Sequence, residues 1–417
     1  MHYFTYNRGE LFCEEVPVRE IVSQVGTPVY IYSARTIERH YKVFDESFKD
    51  VSHLVCYSVK ANSNIAVLNL LQRLGSGADI VSYGELVRAL KAGISPNKIV
   101  FSGVGKTEKE IEEALKAGIL MFNVESIEEL EVLGKVAEKL KLPAPFALRV
   151  NPDVDPQTHP YISTGLKKNK FGIPEHLVIP AYKMAKEHPY LNPVGLDAHI
   201  GSQITSTSPF KDALKRLKSL WKEITNLGIE LKYLDLGGGL GIIYDQENPP
   251  LPEEYAAAII EEAKSLNATL ILEPGRVIVG NAGILVTRVL YTKENLEKKF
   301  VIVDAGMNDL IRPSFYQAYH KIVPVVENFE KEEIVDVVGP ICESGDFLAK
   351  DRPLPRVKRG DLLAVMSAGA YGFVMSSNYN SRPRPPEVLV KGDEFFVVRR
   401  RETIEDILAL ESIPEKL

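Results

Sequence analysis

Four short stretches of this sequence gather residue types that do chemistry on an amine, an anion or a flat ring: Tyr57-Ser-Val-Lys-Ala-Asn62, His199-Ile-Gly-Ser-Gln203, Gly237-Gly-Gly-Leu-Gly241 and Glu273-Pro-Gly-Arg276. Taken alone, Lys60 is a solvated strand end, the usual fate of a lysine. It follows an apolar run, however, and a lysine desolvated there has a lowered pKa suited to Schiff-base chemistry. His199 taken alone is a structural histidine; beside Gly-Ser-Gln it can stack on a flat ring. Gly237–Gly241 is either a tight turn or a backbone cradle for phosphate. It lacks the Gly-x-Gly-x-x-Gly spacing of a dinucleotide loop. Glu273 either pairs with a nearby cation or faces a ring nitrogen, where it would keep that nitrogen protonated and the ring a better electron sink. Arg276, next to Gly275, suits a carboxylate or a phosphate.

The elements that must position these residues alternate. From about Ala34 to about Val279, apolar β-branched runs precede longer runs of helical periodicity. The strand-like runs are His53–Val59, Ala78–Val81, Ile99–Ser102, Met121–Glu125, Phe146–Asn151, Val194–Ile200, Tyr233–Leu236 and Thr269–Glu273. Eight such units in about 250 residues form the pattern of a (β/α)8 TIM-type barrel, with a doubly wound open sheet as the alternative. In such a barrel, chemistry sits at the carboxyl ends of the strands, so spacing alone brings the four stretches to one mouth. After about Gly280 the runs become β-rich with turn residues between them, which reads as an all-β second domain. Val29–Tyr32 is strand-like too. The expected domains are therefore 34–280 as the barrel, and 1–33 with 281–417 as the β-rich domain.

Composition narrows the class. With 417 residues, 45% apolar and 25% charged, the chain is an ordinary globular protein of more than one core. A net charge of -6 argues against a nucleic-acid or anionic-membrane surface. Three cysteines, Cys13, Cys56 and Cys342, without a CxxC spacing give neither a disulfide framework nor a metal site. The start has no apolar core for a signal peptide, and no run is long enough to span a bilayer. A cytoplasmic protein is expected. Gly103-Val-Gly-Lys-Thr107 imitates a P-loop but lacks its leading glycine, and Lys167, Lys168 and Lys170 read as a solvated loop.

The four stretches, in this order, resemble the fold-type III (alanine racemase-like) pyridoxal-phosphate decarboxylases, and most of all the diaminopimelate decarboxylase branch. Thr164–Gly172, Arg312-Pro-Ser-Phe-Tyr-Gln-Ala-Tyr-His320, Gly339-Pro-Ile-Cys-Glu-Ser-Gly-Asp346 and Ala370-Tyr-Gly372 extend the likeness along nearly the whole chain. The resemblance implies a barrel followed by a C-terminal β-sandwich or β-barrel domain, pyridoxal 5′-phosphate as cofactor and an amino acid as substrate. It implies that Lys60 holds the cofactor, His199 stacks on its ring and Glu273 binds its nitrogen. Ser202, Gly239, Pro274, Gly275, Arg276 and Tyr371 would hold the phosphate. Arg276, Arg312, Tyr316, Glu343 and Tyr371 would bind substrate, and Cys342 would return a proton. It implies a homodimer, with Cys342 and Glu343 entering the partner's site and the β-rich domain contributing to the interface.

A thiol is mostly protonated at neutral pH, which suits the role of acid, although a small buried cysteine is an equally ordinary structural residue. Arg312 and Tyr316 are four apart, so one helical turn would put them on one face. Diaminopimelate carries a second carboxylate that needs a cation, which ornithine and lysine lack; Arg276 and Arg312 supply a pair. The rivals are an ornithine- or arginine-type decarboxylase, a racemase of the same fold, and a non-catalytic homologue that binds a partner protein.

Overall fold

The computed structural model describes residues 1–152 and 169–415. The expected loop residues Lys167 and Lys168, and the stretch from Thr164 to Lys168 of the quoted motif, lie outside them. The chain divides into two compact units: Glu38–Ile243 with Glu247–Ile278, and Met1–Ile37 with Tyr244–Gln246 and Val279–Leu417.

The first unit is a closed parallel barrel. Its strands are β1 (His53–Ser58), β2 (Gly77–Ile80), β3 (Ile99–Phe101), β4 (Met121–Val124), β5 (Ala144–Asn151), β6 (Leu191–Asp197), β7 (Tyr233–Asp235) and β8 (Thr269–Leu272). Each pairs with the next in chain order, β4 pairs with β5, and β8 returns to β1. Every residue of β2, β3 and β4 is buried, as strands covered on both faces must be. Ser82, Thr107 and Ser126 start the helices Tyr83–Lys91, Glu108–Ala117 and Ile127–Leu140 by accepting a hydrogen bond from a backbone N–H of the first turn.

The false P-loop is structural. Thr107 and Glu110 form a capping box, and the buried Lys106 amine donates to the Gly103 and Asn123 carbonyls and pairs with Glu129 at 2.7 Å.

The second unit is β-rich. Its main sheet runs Phe347–Pro355, Glu332–Val338, Lys299–Val303, Gly283–Glu294, Val29–Ser33, Glu387–Lys391 and Glu394–Arg399. Leu362–Val365 pairs with both Gly283–Glu294 and Ile322–Pro324. The early strand Val29–Ser33 is thus sandwiched between two late ones, and its Val29 and Ile31 share an apolar core with Leu11, Ile284, Val286 and Val388. Among the described residues no helix is long and apolar enough to cross a membrane.

The barrel's outer layer is held in part by an aromatic cluster. Phe48, wholly buried, lies 5.6 Å from the Phe44 ring and 5.8 Å from the Tyr255 ring, and Tyr255 meets Phe210 edge-on at 4.7 Å. Truncating Phe48 to alanine is expected to cost about 3–5 kcal/mol through lost burial and a residual cavity. Urea unfolding followed by tryptophan fluorescence checks this; a loss below about 1 kcal/mol would mean that the cluster closes over the gap.

Candidate active site

Six of the eight barrel strands carry a polar residue at or near the carboxyl end, and β3 and β8 are each followed directly by one: Ser58, Asp79, Ser102 after β3, Asn123, Arg149, Asp197, Asp235 and, after β8, Glu273. All are buried. Lys60 stands just past β1, in the single 3-10 turn Val59–Ala61. Its Nζ donates to Asp79 Oδ2 at 2.5 Å and to Ser58 Oγ at 2.9 Å, and Ser58 Oγ donates to the same Asp79 oxygen at 2.5 Å. The amine is therefore held in an ion pair, where the sequence offered either a solvated or a desolvated lysine. Glu85, at the start of the helix after β2, carries a carboxyl that burial pushes up to about 7.

Glu273 follows β8. Its Oε1 lies 3.4 Å from both Ser102 Oγ and Asn123 Nδ2, and Asn123 Nδ2 also donates to Asp235 Oδ2 at 2.9 Å. Asn123 thus bridges two buried carboxyls. Burial, then the charge of Asp235, raises the Glu273 pKa well above the ordinary carboxylate value; burial, then Asp197, does the same to Asp235. Asp197 is raised as well, by burial and then by Glu273. Among the described residues neither Glu273 nor Asp235 makes an ion pair.

His199 lies two residues beyond β6. Its Nδ1 accepts a hydrogen bond from the Gly238 N–H at 3.0 Å, so the proton of the neutral ring sits on Nε2. Loss of water around the ring, then Arg149 and Lys60, pull its pKa well below the ordinary value. The glycine run lies flush against this histidine. At Gly237, φ is +63° and a Cβ would come within 2.2 Å of His199 Nδ1. At Gly239, φ is +115° and a Cβ would meet the Gly201 carbonyl at 2.6 Å.

Three of the run's N–H groups are engaged within the protein, that of Gly237 by Asp235 Oδ1, that of Gly238 by His199 Nδ1 and that of Gly241 by the Ile204 carbonyl. The expectation that the whole run leaves its N–H groups uncovered is thus corrected. The Gly239 N–H donates to none of the described residues. Arg276 opens the short helix Arg276–Val279 and donates from Nη2 to Ser202 Oγ at 3.1 Å, which joins two residues expected to hold phosphate. Gly275 is packed against Ala61 and Ser58, one turn from Lys60.

Arg149 organises the opposite side. Its Nη1 pairs with Glu125 at 2.6 Å, Nη2 reaches the His199 carbonyl at 3.5 Å, and Phe171 lies under the guanidinium at 4.8 Å. Glu125 also accepts the N–H groups of Gly103 and Gly172.

The remaining candidates belong to the β-rich unit. Arg312 begins the helix Arg312–Tyr316, and its guanidinium lies 5.8 Å from the Tyr316 ring and 5.0 Å from the Tyr244 ring. Cys342 is an exposed free thiol whose N–H donates to Asn380 Oδ1, and Glu343 beside it is also exposed. Their loop is pinned by Asp346, whose two oxygens accept the N–H groups of Met307 and Ile341, each at 2.7 Å. Tyr371 sits in a turn at φ +55°.

The sequence reading did not single out Asp79, Asn123, Asp235, Arg149 or His320. The available signal was a lone polar residue in an otherwise apolar strand, as Asp79 is within Gly77-Ala-Asp-Ile80.

Residues 34–280 match the family described as "Pyridoxal-dependent decarboxylase, pyridoxal binding domain". Over 415 residues the chain is 53% identical to the diaminopimelate decarboxylase of Vibrio cholerae, covering 99% of each protein. It is 54% identical over 413 residues to that of Pseudomonas aeruginosa, again covering 99% of each. The crystal structure of diaminopimelate decarboxylase from M. jannaschii in complex with L-lysine superposes with a TM-score of 0.94 at 41% identity, covering 99% of this chain and 98% of that one.

The raised carboxyls set a pH dependence. A carboxyl whose folded pKa lies above its unfolded value keeps its proton longer when folded, so stability falls as pH rises from the ordinary carboxylate range through the raised value. Protein stripped of any bound cofactor should therefore melt at progressively lower temperature as pH rises above the ordinary carboxylate range of about 4. Glu273→Gln should flatten that slope. A slope as steep in the variant as in the parent, by scanning calorimetry, would remove Glu273 from the explanation.

Proposed function

This chain belongs to the diaminopimelate decarboxylase family of pyridoxal-dependent decarboxylases, and from that premise we propose that it removes one carboxylate of meso-2,6-diaminopimelate as carbon dioxide to leave L-lysine, the last step of lysine biosynthesis. The observation that carries the reading is the barrel's carboxyl end: an amine held by Asp79 and Ser58, and a buried Glu273 that makes no ion pair among the described residues. Such a buried carboxyl fits a protonated ring nitrogen as partner.

Pyridoxal 5′-phosphate, when bound, supplies the electron sink that takes up the pair left by the departing carboxylate. Lys60 would hold it through its amine. Glu273, backed by Asn123 and Asp235, would keep the proton on its ring nitrogen, and the neutral His199 would present a flat face to the ring. Ser202, Gly239, Pro274, Gly275, Arg276 and Tyr371 would hold the phosphate.

Arg276, Arg312, Tyr316, Tyr371 and Glu343 would bind substrate, and Cys342 would deliver a proton to the α-carbon after carbon dioxide leaves. A second copy of the chain would supply Cys342 and Glu343, which makes the active species a homodimer. The cytoplasm is the compartment we propose, in keeping with three free cysteines.

Carbon dioxide release from meso-diaminopimelate, ornithine and arginine tests the reading directly. Release from diaminopimelate alone is expected; release chiefly from ornithine or arginine would replace it, and no release or cofactor absorbance at all would point to a non-catalytic homologue. Arg312→Ala should lose on the order of 2–4 kcal/mol of transition-state stabilisation, roughly 30- to 1,000-fold in kcat/KM on diaminopimelate. Its cofactor absorbance should stay, because the cofactor's expected partners lie elsewhere in the chain. Mixing inactive Lys60→Ala and Cys342→Ala subunits should restore part of the activity through hybrid dimers. No recovery, with subunit exchange demonstrated, would rule out a shared site.

A further inference from the structure

His320 closes the Arg312–His320 segment, is wholly buried, and has no role in the chemistry above. Both of its ring nitrogens are engaged inside the β-rich unit. Nδ1 lies 2.9 Å from the Met366 carbonyl oxygen, and Nε2 accepts from Arg312 Nε at 3.2 Å. A carbonyl can only accept, so Nδ1 carries the proton. An arginine Nε–H can only donate, so Nε2 offers a lone pair. The two partners thus select one neutral tautomer. A second ring proton, at Nε2, would meet the Arg312 N–H head-on and set two like charges in contact.

The surroundings fix this pair in place. Tyr244 packs edge-on to the His320 ring at 5.3 Å and also lies beneath the Arg312 guanidinium at 5.0 Å. The His320 carbonyl accepts from Arg352 Nη1 at 2.6 Å, and Arg352 is itself stacked over Tyr319 at 3.9 Å. Engaging Nε on the inside settles the plane of the guanidinium. The donors outside that edge are on Nη1 and Nη2, the end-on pair that matches both oxygens of one carboxylate. An arginine tethered only by its flexible stem would have to lose that orientational freedom on each binding event.

We propose that His320 is a positioning residue for substrate choice: as a neutral acceptor it orients Arg312 so that the Nη1–Nη2 edge grips the distal carboxylate of a dicarboxylic amino acid. This rests on the reading of Arg312 as the substrate's cation. The residue makes no contact with the reacting carbon, so it acts on KM and leaves kcat nearly alone.

Two substitutions separate orientation from mere filling of space. Glutamine can place an oxygen where Nε2 stands, whereas asparagine can satisfy Met366 but stops short of Arg312. His320→Asn should raise KM for meso-diaminopimelate at least tenfold with kcat within threefold of the parent, and His320→Gln should restore KM to within threefold. Melting temperatures close to that of the parent check that both fold. In an Arg312→Ala background, His320→Asn should add nothing further. Equal KM values for the asparagine variant and the parent, a fall in kcat at constant KM, or additive effects in the double variant would overturn the proposal.

Should the asparagine variant not fold, the glutamine variant decides: KM within threefold supports the orientation, and a tenfold rise overturns it. Arg312→Ala separates this inference from the one beneath it. If that variant leaves KM unchanged, the reading of Arg312 has failed; if it raises KM while His320→Asn does not, only the role of His320 has.

Discussion

An excess of buried negative charge governs the barrel's carboxyl end. Asp79, Asp197, Asp235 and Glu273 are all buried there, against the cations Lys60 and Arg149. Two like charges about 4 Å apart repel by about 4 kcal/mol at an effective dielectric near 20, so such a cluster is held only with protons, cations or donors between its members. Each of the three appears. Lys60 sits on Asp79, Asn123 bridges Asp235 and Glu273, and burial drives Asp197, Asp235 and Glu273 toward their protonated forms. The cost is borne by the fold, since parallel strands closed into a barrel point these side chains at one another whether or not a ligand is present. A barrel serving only stability would have apolar residues there.

The β-rich unit meets the inverse problem. Arg312 is a buried cation whose neighbours His320, Tyr244 and Tyr316 carry no negative charge. Aromatic faces and a neutral imidazole hold a guanidinium without neutralising it. On the proposed reading this guanidinium meets a carboxylate of the substrate, and a neutral imidazole does not compete with it.

What could be read in the sequence was contiguous. Lys60, His199, Gly237–Gly241, Glu273 and Arg276 each stand at a strand end with telling neighbours, and the alternation of runs gave the eight strands of the barrel. What could not be read depends on pairing across the barrel. Asn123 reaches partners 112 and 150 residues away in sequence, and Asp79 meets Lys60 from the next strand. In the sequence each is a single polar letter in an apolar run, with nothing to separate it from a strand residue satisfied by backbone. The partner of Lys60 was hidden for the same reason: the strand before the lysine is apolar, and Asp79 comes from the next one. The glycine run was read in the right place, yet Gly237 and Gly238 turn their N–H groups inward, to an aspartate and a histidine that only the fold brings near.

The two histidines show how a backbone group can decide side-chain chemistry. At His199 an N–H from Gly238 takes the Nδ1 lone pair and leaves the proton on Nε2. At His320 the Met366 carbonyl takes the Nδ1 proton and leaves the lone pair on Nε2. The rings are both neutral and are opposite tautomers. On the proposed reading each state suits what the ring would face. A neutral ring can lie against a protonated heteroaromatic ring without like-charge repulsion, and a charged one cannot. A neutral acceptor can hold an arginine by its Nε without cancelling its charge, whereas a carboxylate in the same place would. Backbone groups are suited to this task because they do not titrate, so neither tautomer depends on another ionisable side chain staying in one state.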